Sequence, residues 1–150
     1  METNNYQKFA LMLAVSFVIM YTVMFFNVDE FNHIYLSLTR VYMTLLMVAP
    51  MALLMLLLMP MMYKNIKRNT FIIVSSIIVF ALALTLLRNQ AFVGDENYMQ
   101  AMIPHHSSAI LTSEHATIKD LELKKLSEQI IKSQEEEIAQ MKAILERIQK

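Results

Sequence analysis

The chain has 150 residues, a formal net charge of zero at pH 7, one glycine and no cysteine. Without cysteine it forms neither a disulfide nor a thiolate metal site, and a single glycine excludes a glycine-rich phosphate loop. The balanced charge gives no indication of nucleic-acid binding, and we expect no nucleic-acid partner.

The charged residues are distributed unevenly along the chain. The first 87 residues carry five Lys/Arg and three Asp/Glu, whereas the last 63 carry eight and ten. Three uncharged runs lie in the first part, at 9–26, 41–63 and 70–87. A helical run of eighteen residues covers roughly 27 Å, close to the hydrocarbon thickness of a bilayer. The sequence therefore predicts a three-span transmembrane region over 1–87 and a helical domain over 88–150 outside the membrane.

The positive charges predict the orientation of the spans. The link KNIKRN at 64–69, between the second and third runs, carries three Lys/Arg and should be cytoplasmic. Lys8 then lies on the same side, whereas Arg40 and Arg88 lie on the other, so four positive charges are opposed by two. We predict a cytoplasmic amino terminus and a carboxyl-terminal domain that is periplasmic or extracellular.

Two features of the first 87 residues have alternative interpretations. Methionines recur every fourth residue along the second run, and they could form a thioether path for Cu(I) or simply fill gaps between helices. They are Met43, Met47, Met51, Met55 and Met59. In the link after the first run, His33 follows Glu30 as Glu-x-x-His, which resembles a di-iron motif but lacks the four carboxylates of such sites.

The last 63 residues predict two helices. Asp95 is the expected N-cap of the first, which runs to about Thr117, and Asp120 the expected N-cap of the second, which runs nearly to Lys150. The short connection predicts an antiparallel hairpin. Two helices bury too little surface to be stable alone, so we expect a homodimer that completes a four-helix bundle.

A histidine and methionine cluster lies in the first of these helices, in MQAMIPHHSSAILTSEHA at 99–116. Gln134 and Glu137 interrupt the apolar stripe of the second helix, where a buried carboxylate needs a partner. If the turn centres near 118–119, His106 faces the region of Ile131 and Gln134. The polar residues of both helices are then expected to meet in a half-buried site.

These residue types indicate a metal site. We predict His106 and Met102 as the principal ligands, because they lie one turn apart on one helical face. His105 and Met99 support them, and Met141 completes the site across the hairpin. Glu137 and Gln134 are expected to orient an imidazole through its other nitrogen. Thioether ligands favour Cu(I) over Zn(II), so copper is the expected ion. The alternative is a metal-free polar network that fixes the register of a helical dimer.

The same blocks resemble a bacterial family known as domain of unknown function 305. They are MIPHH at 102–106 and QEEEIAQM at 134–141, and the resemblance covers roughly 90–148. The front of the chain, with HIYLSLTRVYM at 33–43, resembles a membrane-anchored branch with three amino-terminal spans. The resemblance implies a ferritin-like helical bundle. It also implies copper or silver binding, which is associated with some envelope members.

Taken together, these observations predict an all-α bacterial inner-membrane protein. Its partners would be the lipid bilayer, a metal ion and a second copy of the chain. The outward-facing domain would bind copper for sequestration or handover. The alternative function is a metal-free membrane scaffold whose hairpin dimerises or docks a partner. We do not expect an enzyme, because no nucleophile, base and orienting group form a recognisable set.

Overall fold

The computed structural model of the chain describes residues 2–150, with side chains from Asn4 onward. The described residues form helices and a 3-10 turn at Phe31–His33 but no strand, which confirms the all-α prediction. The helices are α1 at Glu2–Val23, α2 at Leu38–Leu58, α3 at Ile66–Arg88, α4 at Asp95–His115 and α5 at Leu121–Ile148.

Three helices are long and apolar enough to cross a membrane. They cover Asn4–Val23, Leu38–Leu58 and Ile66–Arg88, with mean hydropathies of 1.5, 2.4 and 2.7. At about 1.5 Å per residue, each reaches roughly 30 Å or more. The chain therefore has the helices of a membrane protein, as its sequence predicts.

The ends of these helices differ from the predicted spans for local reasons. Helix α2 ends at Leu58, because Pro60 cannot donate a backbone hydrogen bond and disfavours a helical conformation in the residue before it. Helix α3 begins at Ile66, before the predicted start of the run at 70, because Asn65 caps it: the Asn65 side chain accepts a hydrogen bond from the Arg68 backbone at 3.1 Å.

The chain folds into two compact units that interleave along the sequence. The membrane unit contains the chain up to Val23 together with Thr39–Ala91, and the hairpin unit contains Met24–Leu38 together with Phe92–Lys150. The link 24–38, which the sequence analysis assigns to the transmembrane region, therefore belongs to the same unit as α4 and α5.

In the hairpin unit, α4 and α5 pack antiparallel around a small apolar core. The core is formed by Met99, Ile103, Ile110, Ile138 and Leu145. Asp120 caps α5 as predicted, since its carboxylate accepts a hydrogen bond from the backbone N–H of Leu123 at 2.8 Å. Asp95 is instead the first residue of α4, after Gly94 as N-cap. Its negative charge there still stabilises the positive end of the helix dipole.

Candidate metal centre

His106 lies in α4 with 6% of its surface exposed, and both nitrogens of its ring have a partner. Nδ1 is 2.8 Å from the backbone carbonyl oxygen of Met102, one helical turn earlier. Nε2 is 2.6 Å from Oε2 of Glu137 in α5. A carbonyl and a carboxylate are both acceptors, so either ring nitrogen can donate to its partner, and a hydrogen bond to the ionised carboxylate of Glu137 is charge-assisted.

Glu137 is the exposed member of this pair, with 48% of its side chain accessible. Its second oxygen accepts a hydrogen bond from the Ser133 hydroxyl at 3.0 Å. The hydrogen bond from His106, and then that from Ser133, holds the pKa of Glu137 below its usual value. The carboxylate is therefore ionised at neutral pH and available to a cation.

The contact between His106 and Glu137 is offset from the predicted register. The sequence analysis places Gln134 opposite His106, whereas the histidine reaches Glu137, nearly one turn further along α5. Side chains of a helix lean towards its amino terminus. Because α4 and α5 are antiparallel, an imidazole that leans towards the start of α4 lies opposite residues later in α5. The Glu137 carboxylate leans towards the start of α5 and so approaches the imidazole.

The predicted methionine ligands occupy different environments. Met99 is buried in the apolar core of the hairpin, and half-buried Met141 packs against that core. Met102 is half-buried, and its backbone carbonyl rather than its thioether contacts His106. Two of the three thioethers thus have a packing role, which is the common use of methionine in irregular cores.

His105 and Gln134, the remaining predicted residues, lie at the edge of the site. His105 is exposed, and its ring centroid is 6.0 Å from that of His106, with the ring planes at 70°. Gln134 is half-buried on α5. Of the predicted residues, the structure therefore brings His106 and Glu137 into contact. The Met102 carbonyl and the Ser133 hydroxyl are their supporting hydrogen-bond partners.

The pair offers an imidazole nitrogen and a carboxylate oxygen at one place. Its Nδ1 contact with a backbone carbonyl is the arrangement that fixes the tautomer of a metal-bound histidine. Within residues 2–150 of a single chain, no group of three or more His, Asp or Glu is placed to hold a metal ion. The pair is thus at most half of a coordination sphere.

An exposed apolar stripe runs along α5 through this pair. Leu123, Ile130, Glu137 and Ile144 follow one another at intervals of seven residues, so they lie along one side of the helix. The three apolar members are exposed, although they belong to a helix whose other face packs on α4. We call these four residues the α5 stripe. Glu137 is its only charged position.

The link 24–38 is fastened to α4 through a buried serine. Ser107 has no exposed surface, and its hydroxyl accepts a hydrogen bond from the backbone N–H of Asp29 at 2.7 Å. The same hydroxyl lies 2.9 Å from Nδ1 of His33, to which it donates. Burial, and next the nearby charge of Lys142, lowers the pKa of His33, against the opposing effects of Glu30 and Asp29. His33 is therefore neutral at pH 7 and can accept.

We call this contact of the link with α4 the clasp. An exposed hydrogen bond from Asn27 to Ser108 at 2.8 Å reinforces it, and a second, from Lys142 to Asn32 at 2.9 Å, joins the link to α5. The sequence analysis missed the clasp. Its only signal was the polar character of the two segments, SS at 107–108 and NVDEFNH at 27–33. A serine and histidine in contact suggest a nucleophile, but a hydroxyl with no exposed surface cannot reach a substrate.

Comparisons with known proteins give two matches. The family model described as domain of unknown function (DUF305) matches residues 83–150. Uncharacterized protein L153 of Acanthamoeba polyphaga mimivirus is 37% identical over 145 residues, which cover 95% of this chain and 93% of the viral protein. No solved structure matches the chain. The match to the viral relative therefore extends over both the three apolar helices and the hairpin of this chain.

Proposed function

This chain belongs to the family of domain of unknown function 305, and from that premise we propose that it is a membrane protein whose hairpin unit binds a transition metal, with copper the first candidate. His106 would bind the ion through Nε2 and Glu137 through its carboxylate. The ion would be sequestered or handed over at the surface of the membrane. Bound copper would supply a Lewis-acidic, redox-active centre.

One observation carries the proposal, the hydrogen bond between Nδ1 of His106 and the Met102 carbonyl. It holds the ring so that Nε2 points at an ionised carboxylate, and Nε2 only has to release its proton to become a ligand. Copper is favoured because Cu²⁺ forms the most stable complexes of the first-row divalent ions with a given nitrogen and oxygen site.

A second copy of the chain would complete the coordination sphere. The α5 stripe is apolar and exposed and contains Glu137, so two copies that bury it around a two-fold axis passing near Glu137 bring two carboxylates to one interface. Two carboxylates out of water repel one another unless a cation or proton intervenes. Metal binding and dimerisation are therefore expected to support each other.

The test uses the full-length protein in detergent, carrying a tag without histidine and stripped of metal. After equilibration with copper and gel filtration, we expect one copper ion per two chains, measured by elemental analysis. Zinc in equal amount should be retained less. A dimer that carries no copper would contradict the metal-binding proposal.

The alternative function is a metal-free scaffold, and the observation that favours it is the same exposed stripe. The two proposals differ in their response to a chelator. A scaffold keeps its dimer in excess EDTA, because apolar contacts alone hold it. The metal-binding proposal expects the chelator to shift the population towards monomer, which light scattering corrected for bound detergent can measure. We propose no catalytic role for either form.

For the location we propose the inner membrane of a bacterium, with the amino terminus in the cytoplasm and the hairpin unit outside. The support is the positive charge of the link between α2 and α3, at Lys64, Lys67 and Arg68. A carboxyl-terminal reporter that is active only in the cytoplasm should be silent, and one active only outside should give full signal. The reverse result would place the hairpin unit inside the cell.

A further inference from the structure

A groove opens in the membrane unit where the first turns of α1 and α3 meet. Its volume is about 470 Å³. Its lining is almost wholly apolar: Ala10, Phe71 and Ile72 form a wall, and Tyr6, Lys67 and Arg68 border the end that we call the mouth. The mouth lies at the ends of the two spans, where headgroups meet the hydrocarbon region, and the wall continues along the span of α3.

Hydrogen bonds fix the shape of the mouth. The Tyr6 hydroxyl donates to the Asn69 side chain at 2.7 Å and accepts from the backbone N–H of Asn65 at 3.1 Å. The guanidinium of Arg68 lies over the Tyr6 ring, 5.1 Å from its centroid. The tyrosine thus ties the start of α1 to the start of α3, and it holds one cation at the opening.

Among the side chains that the structure describes, the cations at this opening, Lys67 and Arg68, make no ion pair with a carboxylate. The first turn of α3 contains no acidic residue. Lys67 and Arg68 also lie at the positive end of the helix dipole, where a cation is unfavourable and an anion is stabilised. The mouth therefore combines unpaired positive charge with a helix amino terminus.

We propose that this groove binds one anionic phospholipid. Lys67 and Arg68 bind the phosphate of the headgroup, Arg68 through its planar guanidinium, and an acyl chain lies along Phe71, Ile72 and Ala10. The apolar wall beside the cations selects a lipid rather than a free anion, because soluble phosphate leaves that wall uncovered. The proposal concerns the membrane unit alone and does not depend on metal binding in the hairpin unit.

The test is lipid-dependent thermal stability of the full-length protein in a neutral detergent, followed by circular dichroism. Phosphatidylglycerol at ten times its Kd should raise the Tm by about 3–6 °C. Phosphatidylcholine should raise it much less, and inorganic phosphate should leave it unchanged. Native mass spectrometry should detect one retained phosphatidylglycerol per chain.

The control is a matched pair of single-charge variants. Lys67→Gln removes a cation from the groove, whereas Lys64→Gln removes the same charge three residues away, outside it. We expect Lys67→Gln to lose most of the Tm shift and about tenfold in lipid affinity, with Lys64→Gln close to the parent. Equal losses in the two variants would overturn the site in favour of general attraction by the link. Equal stabilisation by phosphatidylcholine or by phosphate alone would also overturn it.

Discussion

The His106→Ala variant is expected to lose tight copper binding. Its imidazole is the nitrogen ligand of the proposed site: the Met102 carbonyl holds Nδ1, and Nε2 lies 2.6 Å from the Glu137 carboxylate. Loss of a mere supporting partner of a ligand lowers metal affinity about 10–100-fold, so loss of the ligand itself should cost about 100-fold or more. Competition with a chromogenic chelator measures the affinity, and circular dichroism confirms that the helices persist.

Two companion variants make this result specific. His105→Ala removes the neighbouring exposed imidazole, and we expect it to bind copper nearly as the parent does. Glu137→Gln keeps the shape of the side chain but removes its charge, and we expect a weaker, measurable affinity. If the double variant His105→Ala, His106→Ala binds copper like the parent, the histidines are structural and the scaffold function replaces the metal-binding one.

Ile130→Asp should convert the proposed dimer into a monomer. Full burial of an isoleucine is worth about 1.5–3 kcal/mol, and 37% of Ile130 remains for an interface to cover, so its loss costs roughly 0.5–1 kcal/mol per chain. An unpaired aspartate buried in its place costs about 1–2 kcal/mol more. In a two-fold dimer each substitution counts twice, so the dimer should lose about 3–6 kcal/mol, or roughly two to four orders of magnitude in Kd. A charge placed beside Glu137 on the same stripe adds repulsion. Sedimentation in density-matched detergent measures the change.

The matched control for the stripe is Leu121→Asp. Leu121 is also exposed and lies on α5, but two residues from Leu123 it faces roughly 200° away from the stripe. Aspartate there also suits the amino-terminal turn of the helix. The control should remain dimeric. Dissociation of both variants, or of neither, would exclude the α5 stripe as the dimer interface.

The spans and the hairpin could be predicted from the sequence because each depends on local properties. Uncharged runs of sufficient length indicate membrane helices wherever they lie, and Asp120 caps α5 through a bond to a residue three positions away. The predicted helix ends are less accurate, because the length of an uncharged run takes no account of Pro60 or of the Asn65 cap. A charged residue such as Lys67 does not end a helix, although it ends an apolar run.

The candidate site could be predicted only in part. The sequence identifies Glu137 as a carboxylate that interrupts an apolar stripe and His106 as part of the facing histidine cluster, and the structure brings these two residues together. The sequence could not show that Met99 packs in the apolar core, because a methionine in a core and a methionine that binds a metal occur at the same helical spacing. Cu(I) is favoured by thioether ligands, and Met99 and Met141 pack in or against the core instead. The structure therefore favours Cu(I) less than the sequence does. The pair that remains, nitrogen and oxygen, suits Cu²⁺.

The clasp has a consequence for the order in which the protein is made. Ser107 follows His33 by 74 residues, so the ribosome finishes the link long before the helix that covers it. At about 5–20 residues per second, this interval lasts roughly 4–15 s. During it the two apolar helices α2 and α3 are made, while Asp29 and His33 lack the Ser107 hydroxyl that they contact in the folded hairpin unit. The clasp can therefore form only after α2, α3 and α4 as far as Ser107 have been synthesised, so the link is the last part of the first half of the chain to reach its final contacts.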